Sequence, residues 1–272
     1  MPNTGWLRVL FGLVFGQALL LGVAIIWPTT IDETLPWPAS PLNARFIAAL
    51  YCMGAATSLL AMLARGYREV RIPLVLVGIL TGGLLLLTLP HLDEFTTATF
   101  PYRWVTFYFL DALIIGAVVW RLRGQDPVPP RQPRRSFSAL LLLGYAAALT
   151  VAGGVMLVAP SFAVDLWPWN LTPILAQVYS VFFLTFAIGA LLCARDPRPE
   201  AGRIFVLATI VMLVLILAVS VAYAERFRPG ISTWLWYVLW GAALLAMATA
   251  SVQGARGERH GHPNQRPSER VA

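Results

Sequence analysis

Eight apolar blocks of roughly 20 residues follow one another along the 272-residue chain, at 6–27, 44–64, 72–90, 102–121, 138–159, 172–194, 204–223 and 231–252. A bilayer core about 30 Å thick is crossed by about 20 helical residues at 1.5 Å each. Charged side chains stand only at block edges, with one exception, Asp111 inside the fourth. Blocks this long and this evenly apolar do not alternate as barrel strands do. The expected fold is all-α: a polytopic transmembrane bundle of eight helices. Composition agrees, since 58% hydrophobic and 12% charged residues exclude a soluble globular domain, which carries about a quarter charged residues. The first block carries Arg8 at its start, ends in Ile-Ile-Trp-Pro and lacks a small-residue cleavage site, so it reads as an uncleaved first helix.

All 20 basic residues are Arg. Arg codons are GC-rich, which points to a high-GC bacterial source. Sixteen of them fall at residue 8, in 65–71, 121–135 and 195–203, and in the tail after 253, whereas Arg45, Arg103, Arg226 and Arg228 fall on the opposite side. The positive-inside rule then places both termini in the cytoplasm, with the protein in a bacterial plasma membrane. Despite a net charge of +7, these residues separate apolar blocks rather than forming a patch, so they speak for topology and not for nucleic acid. Cys52 and Cys193 lie in apolar blocks without CxxC or Cys/His company. They read as buried free thiols, with no disulfide or zinc site.

The chain also repeats itself. Pro36-Trp37, Pro41 and Ala44 return as Pro168-Trp169, Pro173 and Ala176, each 132 residues later. The same offset, with no gap, relates Gly22 to Gly154, Pro28 to Pro160, Arg71 to Arg203, Phe95 to Phe227 and Trp104 to Trp236. Apolar matches are cheap in such a chain; matched Pro, Trp and Arg are not. The expected organisation is a tandem duplication: a first four-helix repeat over 1–124, a cytoplasmic linker at 125–136, a second repeat over 137–253 and a disordered tail at 254–272. An even number of helices per repeat implies parallel halves about a pseudo-twofold along the membrane normal. Gly78 and Gly82, at GxxxG spacing, are candidates for close helix packing between such halves.

Trp167 to Ala176 reads Trp-Pro-Trp-Asn-Leu-Thr-Pro-Ile-Leu-Ala, and Leu35 to Ala44 is its degenerate copy. The phrase resembles a Pro-Trp-x-Leu-Thr-Pro-x-x-Ala motif of uncharacterised multi-pass integral membrane proteins of bacteria. That resemblance covers about ten residues twice and implies no activity. Physically the phrase starts a helix: Thr172 is placed to cap and Pro173 sits where a missing N–H costs nothing, and Ser40-Pro41 repeats the arrangement.

Asp111 is the sharpest single signal. It lies nine residues after Tyr102, roughly 13 Å deep and near the midplane. Helical spacing puts Trp104, Phe107 and Tyr108 above it on one face, and Gln17 at similar depth in the first block is its candidate partner. A carboxyl at that depth faces the bundle interior, as a proton or cation site or as a neutral interhelical hydrogen bond. A second candidate is a cup on the outer side, built from Trp37, Trp104, Trp169, Trp236 and Asp165, suited to a cationic or amphipathic solute. The alternative for those rings is anchoring at the lipid interface.

No Gly-rich phosphate loop, GxSxG or HExxH occurs, so nothing argues for an enzyme. Haem A synthase-like enzymes also consist of two four-helix repeats, but they need histidines in helix cores. Here His91 stands at a block end, near Asp93 and Glu94, and His260 and His262 in the tail. No cofactor and no metal are expected. The partners expected are the lipid bilayer and either a small-molecule solute, for a permease-like transporter, or a partner membrane protein, for a sensor, lipid-binding or complex-assembly component. Transport implies a cavity reaching Asp111; the accessory role implies a closed bundle.

Overall fold

A computed structural model describes residues 5–26, 35, 37–94, 100–124, 137–196 and 198–260. The described residues form an all-α bundle of nine helices with no strand: α1 (Gly5–Ile26), α2 (Pro41–Met62), α3 (Tyr67–Thr88), α4 (Phe100–Leu122), α5 (Phe137–Val158), the short α6 (Pro160–Leu166), α7 (Pro173–Arg195), α8 (Pro199–Ala222) and α9 (Ile231–His260). All except α6 are long and apolar enough to cross a membrane, so the protein is a multi-pass membrane protein. Trp27, Asp32, Glu33, Pro36, Phe95 and the 125–136 linker lie outside the described residues, as does the tail from 261.

Helix ends follow from local chemistry. Ser40 Oγ accepts the Asn43 N–H at 3.3 Å, with Pro41 as the first helical residue of α2. Thr172 Oγ1 accepts the Leu175 N–H at 3.4 Å ahead of Pro173 in α7. Each cap satisfies an N–H that the helix itself cannot. Three helices outrun their apolar blocks by five residues or more. α3 starts at Tyr67, which places Pro73 inside it, α8 starts at Pro199, and α9 runs on to His260 in the segment expected to be a disordered tail. Backbone hydrogen bonds need no apolar side chain, so a helix does not stop where hydropathy does. The unexpected α6 takes up part of the expected 160–171 loop, with Pro160 in its first turn.

α2, α3, α7 and α8 form the centre, while α1 packs on α2, α4 on α3, α5 on α7 and α9 on α8. Across the centre α2 meets α8, α7 meets α3, and α3 meets α8. The N-termini of α2 and α7 lie at one end, where Asn43 bonds Asn170 and Trp169. This is the motif end. The opposite end joins the start of α3 to the end of α7 through Arg71 and Asp196, and is the arginine-rich end. α2 and α7 therefore run in the same direction.

Glycine permits the closest approaches. A Cβ on Gly83 would come within 2.7 Å of Val181 Cγ1, and one on Gly189 within 2.8 Å of Leu76 Cδ1, so both mark contact between the halves. Gly78 and Gly82 do not. They face Ile115 and Ala112 of α4 in their own half, because one helix presents different small residues to different neighbours.

Candidate functional site

Asp111 is the central residue of α4, and the side chain of Gln17 from α1 lies beside its carboxyl. One turn toward the motif end, Tyr108 is buried and its hydroxyl is hydrogen-bonded to that of Tyr51 on α2. Asp111 lies close enough to both phenols for its charge to act on them. Above Tyr108 stands Trp104, with ring centroids 4.5 Å apart. The indole of Trp104 donates to Thr88 Oγ1 at 3.2 Å, and Trp37 meets it edge-on at 5.3 Å. Polar and aromatic groups thus run from the motif end to the middle of the bundle along the seam of α1, α2, α3 and α4. Phe107 is not part of this stripe. It is exposed, because the 100° step per residue turns it to the outer edge of α4 while Trp104 and Tyr108 face inward.

In the second half of the chain, three residues make a similar arrangement. Trp236 donates its indole N–H to Ser220 Oγ at 2.9 Å and meets Trp169 edge-on at 4.8 Å. These three residues stand 132 positions after Trp104, Thr88 and Trp37 respectively. Beyond them the correspondence becomes apolar. Tyr51, Tyr108, Asp111 and Gln17 have as counterparts Phe183, Trp240, Ala243 and Leu149, all buried. Phe183 and Trp240 are in ring contact at 5.7 Å, where the first half has two hydroxyls.

The expected cup is filled by its own rings. Trp37, Trp104, Trp169 and Trp236 are all buried. Trp169 is also in ring contact with Trp167 and Phe46, at 5.1 and 5.4 Å, each such pair being worth about 1 kcal/mol beyond burial. Asp165 is exposed on α6. These tryptophans do not face lipid; among the described residues Trp6, Trp120 and Trp234, on the flanking helices, are the exposed ones. A recess lined by Trp37, Thr88, His91 and Ile174 measures about 10 Å³, the room of roughly one water. A second, beside Arg8 and Val70 at the arginine-rich end, is as small. Asp111 lines neither.

Two clusters had no expectation attached to them. Asn43, 2% exposed, is the hub of the motif end. Its Oδ1 accepts from Trp169 Nε1 at 2.7 Å and Tyr179 OH at 3.1 Å, and its Nδ2 donates to Asn170 O and Ser40 Oγ, both at 3.0 Å. All four amide positions are thereby used. The signal for it was an Asn inside the degenerate copy of the motif, where the other copy has Leu175. At the arginine-rich end, Asp196 accepts from Arg71 Nη2 at 2.6 Å and from Arg198 Nε and Nη2, both at 2.9 Å. Burial pushes this carboxyl up, but hydrogen bonds from Arg198 and the charges of Arg198 and Arg71 more than reverse that and hold it below its ordinary value. Both cysteines are free thiols, Cys193 buried and Cys52 half-buried. Among the described residues no three His, Cys, Asp or Glu side chains come together to hold a metal ion.

Comparison with protein families, with curated proteins and with solved structures finds no match for the chain.

Proposed function

We propose that the protein is a permease-like transporter of a small or amphipathic solute, built by tandem duplication, with Asp111 as its proton or cation site. It lies in a bacterial plasma membrane with both termini in the cytoplasm. The observation that carries this reading is the one-sided polar centre. Gln17, Asp111, Tyr108 and Tyr51 lie together where the matching positions of the other half are Leu149, Ala243, Trp240 and Phe183. A scaffold that tolerates the apolar version does not need the polar one to fold. An acid kept at mid-span, where a charge costs several kcal/mol, points to use. The amide of Gln17 suits either protonation state, since it donates to a carboxylate and accepts from a carboxylic acid. Duplication is supported by the two Trp-to-hydroxyl bonds, the two Ser/Thr-Pro caps and the exchange of α2–α8 for α7–α3 contacts.

The test is Asp111→Asn in a strain that depends on the protein, with thermal stability in detergent as control. Loss of function with unchanged stability is the expected result, because Asn keeps the shape and a hydrogen bond without the ionisable group. Full function in that variant would remove Asp111 as an ionisable site. It would leave the accessory reading, a sensor, lipid-binding or complex-assembly component. That second reading draws on the packed aromatic end and on recesses with room for about one water.

A further inference from the structure

We propose that the two halves part at the arginine-rich end and hinge at the motif end, with Asp196 and Arg71 as the latch that keeps the opening closed. The two ends are tied differently. At the motif end, Asn43 alone makes hydrogen bonds to Trp169, Tyr179 and Asn170 of the other half, all beneath packed rings. Parting there strands an amide, an indole N–H and a hydroxyl in a dry place. At the arginine-rich end, one side-chain ion pair crosses between the halves among the described residues, Arg71 Nη2 to Asp196 Oδ2. Its rupture strands nothing. Asp196 keeps both bonds to Arg198, which belongs to its own half. The Arg71 side chain is 21% exposed, so water can take over the guanidinium. Arg71 Nε already has no partner in the closed form. In polar ties, opening breaks one charge-assisted bond at the arginine-rich end, where the Ile204 packing and the Gly189–Leu76 contact also part, against a buried network at the other.

Such a hinge would serve the proposed transport by admitting water from the arginine-rich end. Its test reads accessibility alone and needs no substrate, so it can fail while the Asp111 result stands, and the reverse. The chain supplies a reporter. Cys193 is buried three residues before Asp196, and a Cβ on Gly202 of α8 would lie 3.2 Å from its Sγ.

In membranes holding the full chain with Cys52→Ser, Cys193 is the only thiol and should react slowly with a small maleimide. Asp196→Asn and Arg71→Gln should each speed the reaction by about tenfold or more. A mere change of field at the thiol acts with opposite signs in the two variants, since carboxylate and guanidinium carry opposite charges. A second reporter, Ser180→Cys with Cys193→Ser, sits in the motif-end half of α7 at a fully buried position and should stay protected in both variants. An unchanged Cys193 rate overturns the latch. Opposite changes in the two variants overturn it as well, and acceleration at both reporters shows a loosened bundle rather than a hinge.

Discussion

Trp169 donates its indole N–H to Asn43 Oδ1 across 2.7 Å, and the two residues stand 126 positions apart in the chain. The bond joins the capped start of α2 to the motif copy that precedes α7. In lipid the apolar faces of helices gain little by leaving one solvent for another like it, so packing and interhelical hydrogen bonds hold a bundle together. A satisfied amide at this junction therefore sets how the halves meet. Its counterpart in the second half, Leu175, is fully buried and has no such bonds to make.

Asn43→Leu, which copies that counterpart, should lower the unfolding temperature in detergent. It removes the acceptor of both Trp169 and Tyr179, and a stranded buried donor costs about 1–3 kcal/mol. Asn43→Asp keeps an acceptor and should lose less at a pH where the carboxyl is neutral. Equal unfolding temperatures for wild type and Asn43→Leu would show that the network contributes nothing.

Asp196 predicts a pH dependence with a definite sign. Its folded value lies below the ordinary 3.8, so its contribution is fully present above that ordinary value. It is lost as the pH falls through the lowered one. Wild type should therefore be more stable than Asp196→Asn near neutral pH, and the gap should shrink as the pH falls below the ordinary 3.8 and close once it falls below the lowered value. A gap that persists or widens in acid contradicts this assignment of the carboxyl.

The number of spans was legible because bilayer thickness sets a length that can be counted in residues, as in Gly5–Ile26 or Pro173–Arg195. The caps at Ser40 and Thr172 were legible because capping is local. Depth can also be counted along a helix, which is how Gln17 and Asp111 can be matched before a structure exists. What could not be counted is which face meets which neighbour. Trp169 and Trp234 stand at similar places by hydropathy, yet one is buried and the other exposed, since an aromatic ring satisfies lipid and protein alike. The same ambiguity hid Tyr51, whose partner lies 57 residues away, and sent Gly78 to α4 rather than to the other half.

The proposed topology can be read with fusions. A reporter active only in the cytoplasm should be active after residue 272 and at Gln125, and one at Ser161 should report the opposite side. Ser161 belongs to α6, at the motif end, so the same experiment assigns the motif end to the outside. Reversal at any one site breaks the expected orientation.

Tyr51 and Tyr108 offer a test of whether the polar centre is structural or functional. Their hydroxyls bond each other in a buried place, so Tyr51→Phe alone leaves the Tyr108 hydroxyl without that bond and should cost about 1 kcal/mol. Removing both partners together is a different matter, because no polar group is then stranded. Tyr51→Phe with Tyr108→Trp recreates the Phe183 and Trp240 pair of the other half, which packs at 5.7 Å. Its stability should therefore recover to within about 0.5 kcal/mol of wild type, a coupling that a double-mutant cycle of detergent melts measures directly. Function should not recover with it if the phenols help set the proton or cation affinity of Asp111, since the double variant restores packing but not the hydroxyls. A double variant that is both stable and fully active would separate the tyrosines from the site and leave Gln17 and Asp111 to carry it alone.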